Sequence, residues 1–572
     1  MTPVINCPAI ILSLGAIFLF FVFCLFWFLI LTKKFLFWLW LWQLKNYHWL
    51  RFIDHFQTFK GKKIILNWLN LIKIILIAGF ALALFYDSLF CLWIFYLIVF
   101  LIFSAEIVST IKHIRYKSFK KPIKTKKTFV ILAIGILLLG GLVLLFQNNH
   151  SFKIVKLMLL IDFFSPIIFS IFILLFQIPT IFLRNRIIAK AKKKREQFSS
   201  FARQKTSYEG SFEAFREVEK DLIVIGITGS YGKSSTKEFL YQILSQKFKV
   251  LKTPENINSE IGISQTILND LNSEHQIFIC EMGAYRQGGI KLLADIAQPK
   301  IGILTGINEQ HLATFGSQEK IIRTKFELVE SLPKDGIAIL NIDDQLIKEN
   351  DLRFTIQDLR KIKCSLEEID SLEVKKGSLG YKIGDVDFGA DLAGRQNVIN
   401  LLLAIKCGQE LGMSLPEVSE AVAKIKPFRR TMKLKQGKEG IQIIDDTYSA
   451  NPKGVISALE HLKLWQGKKI IIMPCLIELG KSSKQVHQEI GKNIGQICDL
   501  AIITTKDRFS EIEKSAVSAG MNQEKIVFLE NPNQILEKLK PYLKSENVIL
   551  LESRAPEKLI ELLSVRQIEN ES

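Results

Sequence analysis

GITGSYGKS, Gly226 through Ser234, follows the short apolar run LIVIGI (222–227) and opens a stretch, 233–246, whose apolar residues recur at helical spacing. Gly226, five residues, then Gly-Lys-Ser between a strand and a helix is one residue longer than the P-loop pattern of Gly, four residues, Gly-Lys-Ser, and keeps its Gly-Lys-Ser end and its strand–helix setting. Its glycines let the loop curl so that backbone N–H groups point inward, and the helix start adds partial positive charge. In that setting Lys233 reaches the β and γ phosphates of ATP and the Ser234 hydroxyl takes a magnesium ion. Thr228, Gly229, Ser230, Tyr231, Gly232 and Ser235 complete the expected ATP-binding loop. A glycine-rich strand–helix turn without a ligand is the bland alternative, which the Gly-Lys-Ser end in this context argues against.

Outward from the loop, short apolar runs alternate with amphipathic stretches. IFICEM (277–282), IGILTG (301–306) and IAILNI (337–342) read as buried strands; 259–271, 287–297 and 317–331 read as helices. The rhythm resumes with KIIIMPC (469–475), DLAIITT, KIVFL and NVILLE. Two α/β domains follow: a P-loop ATPase-like one with a parallel sheet over 215–426, and a Rossmann-like one over 427–572. Glu281 ends a strand at the sheet edge where ligands of α/β folds collect, so its carboxylate can share the Ser234 magnesium. His311 follows a strand by a short loop, and Lys325 lies in a helix; alone, each reads as an ordinary structural or solvated residue.

The first 188 residues have a different solvent. Apolar stretches near 8–31, 66–86, 89–108, 128–147 and 157–183 are long enough to cross a hydrocarbon core of about 30 Å. The Trp-rich segment 35–50 suits a helix at the interface. Of the +19 net charge, residues 1–205 carry about +22 and the remainder about −3. The basic residues cluster in 32–63, 109–127 and 184–195, while 1–7, 87–88 and 148–152 hold none. Five spans with the N-terminus outside put every basic loop, the basic linker or helix 189–214 and both α/β domains in the cytoplasm of a bacterial cell. This placement of charge excludes a nucleic-acid partner, which needs a basic face on the soluble part. Glu106 and Asp162, the acids within or beside spans, read as functional candidates or as acids an anchor tolerates. The eight cysteines form no metal-spaced pairs and read as reduced thiols.

TGSYGKSST (228–236) also resembles the nucleotide loop of the Mur ligase superfamily, and further blocks follow in that family's order. They are TPENINSEIG (253–262), EMGA (281–284), NEQHLATFGS (308–317), RTKFEL (323–328), LNIDD (340–344), GRQNVIN (394–400), DDTYSANP (445–452) and IELG (477–480). The resemblance covers about residues 215–560 and is closest to the branch that adds D-alanyl-D-alanine to a UDP-MurNAc-tripeptide peptidoglycan precursor. It implies ATP-dependent amide formation through an acyl phosphate, with two magnesium ions. It implies catalytic roles for Lys233, Glu281, His311 and Lys325, with Lys325 carbamylated as a metal ligand beside Ser234, Glu281 and His311. It places Asn397 and Asn400 near adenine, Asp446 on the ribose and Arg430 on the nucleotide, although spacing also allows Arg429. Asn256, Asn258, Tyr448 and Asn451 fall on the substrate side. Asn341 and Asp343 match a nucleotide-side block and read equally well as a strand-end turn; Asp446, Tyr448 and Asn451 likewise read as an Asx-type turn.

The sequence departs from the family at Gln396, Ser449 and Gly454, and at Glu552-Ser553-Arg554 where Lys-Gly-Ser is usual. These changes bear on the amino substrate more than on ATP chemistry. The small N-terminal domain that grips the UDP-sugar has no counterpart, and the membrane spans stand in its place. The spans imply association with lipid-linked steps of wall synthesis, or a lipid-linked acceptor. A poly-γ-glutamate-type amide ligase, a non-catalytic membrane scaffold and a transport ATPase are the competing readings.

Overall fold

The computed structural model describes residues 7–83, 89–116, 119–147, 152–203, 222–354, 359–428, 430–448 and 451–563. The chain divides into two compact units, Met1–Leu183 and Arg184–Ser572.

The first unit is helical: α1 (Cys7–Leu44), α2 (Trp49–His55), α3 (Phe59–Ile65), α4 (Trp68–Ala83), α5 (Leu89–Arg115), α6 (Lys126–Gln147), α7 (Phe152–Leu175) and the start of α8 (Gln177–Arg203). Among the described residues four helical stretches are long and apolar enough to cross a membrane: Phe20–Leu44, Ile94–Arg115, Lys126–Phe146 and Ile154–Phe198. The expected span over 66–86 is described only as the 16-residue α4, with 84–86 outside the described residues. The Trp-rich segment is corrected. Residues 35–44 form no separate interfacial helix but continue α1 without a break, because nothing in FLFWLWLWQL stops a helix and Trp38, Leu39, Leu41 and Trp42 are buried in the bundle.

Cross-helix contacts fix directions. Trp27 Nε1 donates to the Met158 carbonyl, Lys34 pairs with Asp162, and Trp42 Nε1 donates to Ser170 Oγ, so α1 and α7 run parallel. Phe23 on Tyr96, Phe26 on Phe100 and Lys34 near Glu106 make α5 parallel as well. Gln43 on Thr128 and Trp27 on Phe146 make α6 antiparallel. The expected intramembrane acids are neither isolated nor terminal. Lys73 and Asp162 are fully buried and 2.5 Å apart, Lys73 also pairs with Glu106, and Lys34 lies 2.5 Å from Asp162. Four helices thus contribute two ammoniums and two carboxylates to one enclosed network.

In the second unit, the far half of α8 packs Ile188 and Ala191 into a core with Val224 and Phe278, and Arg195 donates to the Ala297 carbonyl. Residues 189–203, expected as a basic linker or helix, are helix docked on the first α/β domain; 204–214 lie outside the described residues. That domain runs β1 (Ile223–Thr228), α9 (Lys233–Leu244), β2 (Val250–Lys252), α10 (Glu260–Asn269), β3 (Ile277–Glu281), α11 (Gly289–Ala297), β4 (Ile301–Leu304), the one-turn α12 (Leu312–Phe315), α13 (Gln318–Glu330), β5 (Ile337–Asn341), α14 (Gln345–Asn350) and β6 (Arg360–Cys364). The sheet order is β2-β3-β1-β4-β5-β6, all parallel. Its central strands, β1 and β3 to β5, are mostly apolar and buried because both faces are covered. A small antiparallel sheet, β7 (Ser371–Val374), β8 (Leu379–Ile383) and β9 (Val386–Ala390), and helices α15 (Gln396–Glu410) and α16 (Leu415–Ala423) complete it.

The C-terminal domain comprises β10 (Lys433–Gln436), β11 (Gln442–Asp446), α17 (Pro452–His461), β12 (Lys469–Met473), α18 (Ser483–Ile497), β13 (Leu500–Ile503), α19 (Phe509–Ser518), β14 (Ile526–Phe528), α20 (Pro532–Leu539), β15 (Val548–Glu552) and α21 (Glu557–Leu563). Its sheet order is β10-β11-β15-β12-β13-β14, parallel except for β10. In the first sheet the chain crosses β1 between β3 and β4. The switch point where ligands of such sheets bind therefore falls at the carboxyl end of β1, beside Glu281 and Leu304 in register.

Candidate active site

The loop between β1 and α9 is built by close approach. Gly232 has φ +78, and a Cβ there would meet Asn400 Oδ1 at 2.6 Å, so only glycine fits without strain. Ser230 N donates to the Gly306 carbonyl at 2.6 Å and Thr228 Oγ1 to the Met282 carbonyl at 2.9 Å, which ties the loop to the ends of β4 and β3. Lys233 folds back over the loop, donating to the Gly229 carbonyl at 2.7 Å and to that of Ser230 at 3.3 Å. Burial lowers its pKa, and Glu281 opposes that shift. The ammonium is held by weak carbonyl partners that an anion can replace.

Beside it, Ser234 Oγ donates to Glu281 Oε2 at 3.0 Å, while Asn258 Nδ2 donates to Glu281 Oε1 at 3.0 Å. The expected metal pair and one expected substrate residue thus share a single carboxylate. Asn256, on the same turn, is exposed, and Ser235 is half-buried. Among the described residues no three His, Cys, Asp or Glu side chains gather as a metal site. An all-oxygen pair suits magnesium, which keeps waters and phosphate oxygens as its other ligands.

His311 and Lys325 both lie close enough to Lys233 for its charge to act on them. His311 caps α12 at φ +67, in the left-handed region that a non-glycine residue rarely adopts. Its Nδ1 is 2.6 Å from Glu478 Oε2, its ring meets Tyr285 edge-on, and Glu478 is itself at φ +65. Backbone strain on both partners of one hydrogen bond marks a geometry the fold maintains. Burial lowers the His311 pKa against the opposing pull of Glu478. Lys325 is 3 % exposed, and burial, then the Lys233 charge, bring its pKa down to about 7. A solvated helix lysine would show neither effect.

The C-terminal domain joins here. Tyr231 Oη donates to Asp344 Oδ2 at 2.5 Å, and Lys453 at the start of α17 lies 2.8 Å from the same oxygen and over the Tyr231 ring. Asn451 caps α17 through Gly454 N, and Asn308 Nδ2 donates to it at 3.4 Å.

Residues 227–408 match the Mur ligase middle domain, and residues 429–554 match the Mur ligase, glutamate ligase domain. The chain belongs to the Mur ligase family. A UDP-N-acetylmuramoyl-tripeptide–D-alanyl-D-alanine ligase of Synechocystis is 32% identical over 301 residues, 52% of this chain and 64% of that protein. One of Mycobacterium leprae is 29% identical, covering 58% of this chain and 71% of its own length. The crystal structure of a MurF ligase from Thermotoga maritima in complex with ADP superposes with a TM-score of 0.54 at 26% identity, over 66% of this chain and 83% of that one. The chain therefore spans less than two thirds of the length of the Synechocystis relative.

The remaining expected residues of this Mur ligase fall in two groups. Asn400 stands behind the loop, its Oδ1 accepting from Thr236 Oγ1 at 3.3 Å, and Asn397 donates back to the Ala393 carbonyl. Asp343 accepts from Ser365 Oγ and Leu366 N, and Asn341 donates to the Thr305 carbonyl, so the strand-end reading describes their present contacts. Asp446 ends β11 in register with Glu552 of β15 and accepts from Met432 N at 3.1 Å. Burial pushes Asp446 up to about 7, and burial with the Asp446 charge raises Glu552 well above the carboxylate range. Arg430 is half exposed, 3.9 Å from Glu557, and Tyr448 packs edge-on against Phe428. Arg429, Ser449 and Ala450 lie outside the described residues. Sequence reasoning missed Lys237, Asp344 and Lys453. Asp344 ends the quoted LNIDD block, and Lys237 shares a helix face with Lys233 and Ser234, but that spacing alone does not tell it from a solvated lysine.

Proposed function

We propose that this Mur ligase forms an amide bond in peptidoglycan precursor synthesis, joining D-alanyl-D-alanine to the peptide carboxylate of a UDP-MurNAc-tripeptide-type acceptor at the expense of ATP. The observation that carries the reading is the Ser234–Glu281 hydrogen bond beside Lys233, with a buried Lys325 near enough to feel the Lys233 charge. The names borne by the Synechocystis and M. leprae relatives support the choice of substrates.

The acceptor carboxylate takes the γ-phosphoryl group and ADP leaves. The amine then attacks the acyl carbon, phosphate departs, and the nitrogen loses a proton. Lys233 exchanges its two carbonyl partners for phosphate oxygens, and loop N–H groups hold the phosphates in line. Ser234 and Glu281 would hold magnesium, which when bound would offset phosphoryl charge. A lysine with pKa near 7 presents the free amine that carbon dioxide requires, so Lys325 is suited to carbamylation and, with His311, to a second magnesium.

The helical unit belongs in a bacterial membrane, with the second unit in the cytoplasm. The distribution of basic residues supports this. So do the parallel course of α1, α5 and α7 and outward apolar side chains such as Phe129 (74 % exposed) and Leu137 (73 %). That anchor favours a second reading, in which the acceptor is lipid-linked and the enzyme works beside lipid-linked wall-synthesis enzymes.

Phosphate release by the purified full-length chain, given ATP, magnesium, UDP-MurNAc-tripeptide and D-alanyl-D-alanine, tests the reading. Release should require both substrates. Release that ignores D-alanyl-D-alanine and responds to free amino acids points instead to another amide ligase. Turnover on an undecaprenyl-linked acceptor alone favours the second reading.

A further inference from the structure

Lys237 is fully buried on α9, one turn beyond Lys233. An enclosed ammonium survives only with partners, and it has three. Its Nζ is 3.2 Å from Glu281 Oε2 and 3.6 Å from Glu238 Oε1, and it donates to the Glu255 carbonyl. Glu238 is shared with Lys252. Glu255 stands at φ +41, an uncommon setting for a side-chain-bearing residue, with its carbonyl accepting from the ammonium. Asn258, three residues on, holds the opposite oxygen of Glu281, and Thr253 Oγ1 accepts from Glu281 N. The turn 253–258 and the carboxylate are therefore clamped together, with Lys237 behind them. Glu281 Oε2, the oxygen facing Ser234, thus already has the Lys237 ammonium 3.2 Å away.

We propose that Lys237 is a positioning residue that acts as a fixed internal cation on Glu281. It keeps the carboxylate and the 253–258 turn in register before metal arrives. It also holds down the affinity of the bare site for a divalent ion, so that metal stays only together with the phosphates of a nucleotide. The proposal rests on reading Ser234 and Glu281 as a magnesium corner. A unit charge about 5 Å from a divalent ion weakens its binding by at least about tenfold, even at the dielectric of water.

Manganese, visible by electron paramagnetic resonance, is titrated into the purified full-length protein with and without ADP. Wild type should bind it weakly alone and tightly with ADP. Lys237→Gln keeps a donor for the Glu255 carbonyl without the charge, and should bind manganese alone at least about tenfold more tightly. Lys237→Arg keeps the charge and should stay near wild type, which a merely structural role does not predict. Glu238→Gln, which leaves Lys237 more fully on Glu281, should weaken binding severalfold and carries the test if Lys237→Gln does not fold. Unchanged or weaker binding by folded Lys237→Gln, or unweakened binding by Glu238→Gln, overturns the proposal alone. Absence of manganese binding by wild type even with ADP overturns the magnesium corner and the proposal with it.

Discussion

Lys233 and Lys325 are both lysines at the start or middle of a helix, and their surroundings separate them. Lys233 has only carbonyls to leave behind when phosphate arrives, so Lys233→Ala should lower phosphate release on the order of a hundred- to thousandfold while the melting temperature barely moves. Asp446 and Glu552 titrate in the opposite sense from paired surface acids. Both are raised, so the folded state binds protons more tightly than the unfolded chain. Their favourable contribution is complete below about pH 4 and is lost as pH rises to about 7 and beyond. Glu552→Gln should therefore melt a few degrees above wild type at pH 8 and converge with it near pH 4, as differential scanning fluorimetry across pH will show. At this scale spacing made Lys233, Ser234 and Glu281 legible. It could not reveal Lys237, because a lysine four residues into a helix reads as solvated until the fold brings Glu281 and Glu255 against it.

The strands lining the site were legible as elements: unbroken β-branched runs ending in Gly, Thr or Glu have one stable place, the middle of a covered parallel sheet. Short or half-exposed strands such as β2 and β7 to β9 were not, since their polar alternation resembles loop sequence. The helices of the first unit show the converse. Apolar length located them, but the ion network joining α1, α4, α5 and α7 follows only from packing. A lone charge at the centre of a membrane helix costs about 2.5–3.5 kcal/mol, and breaking a buried pair typically costs about 3–5 kcal/mol. Asp162→Asn leaves Lys34 and Lys73 short of a carboxylate and should lower the melting temperature of the detergent-purified protein markedly. Adding Lys73→Met should recover part of the loss. Equal melting of wild type and Asp162→Asn would mean that the network does not hold these helices together.

Within the second unit, the two α/β domains meet through Tyr231, Asp344 and Lys453 and through His311 and Glu478. Lys453→Ala removes a cation from the Tyr231 ring and from Asp344, beside the nucleotide loop. It should raise KM for ATP severalfold, worth about 1 kcal/mol, with little change in kcat, as steady-state phosphate release will show. The sequence by itself determined what depends on local order: a phosphate loop between strand and helix, the family's blocks in sequence, and apolar runs flanked by basic loops. Tertiary structure alone decided which charges are buried together. Lys237 on Glu281, Asp446 beside Glu552, and Lys34 and Lys73 with Glu106 and Asp162 join residues far apart in the chain. A charge's partner, and therefore its chemistry, depends on distance in space, which no pattern of neighbours along the chain encodes.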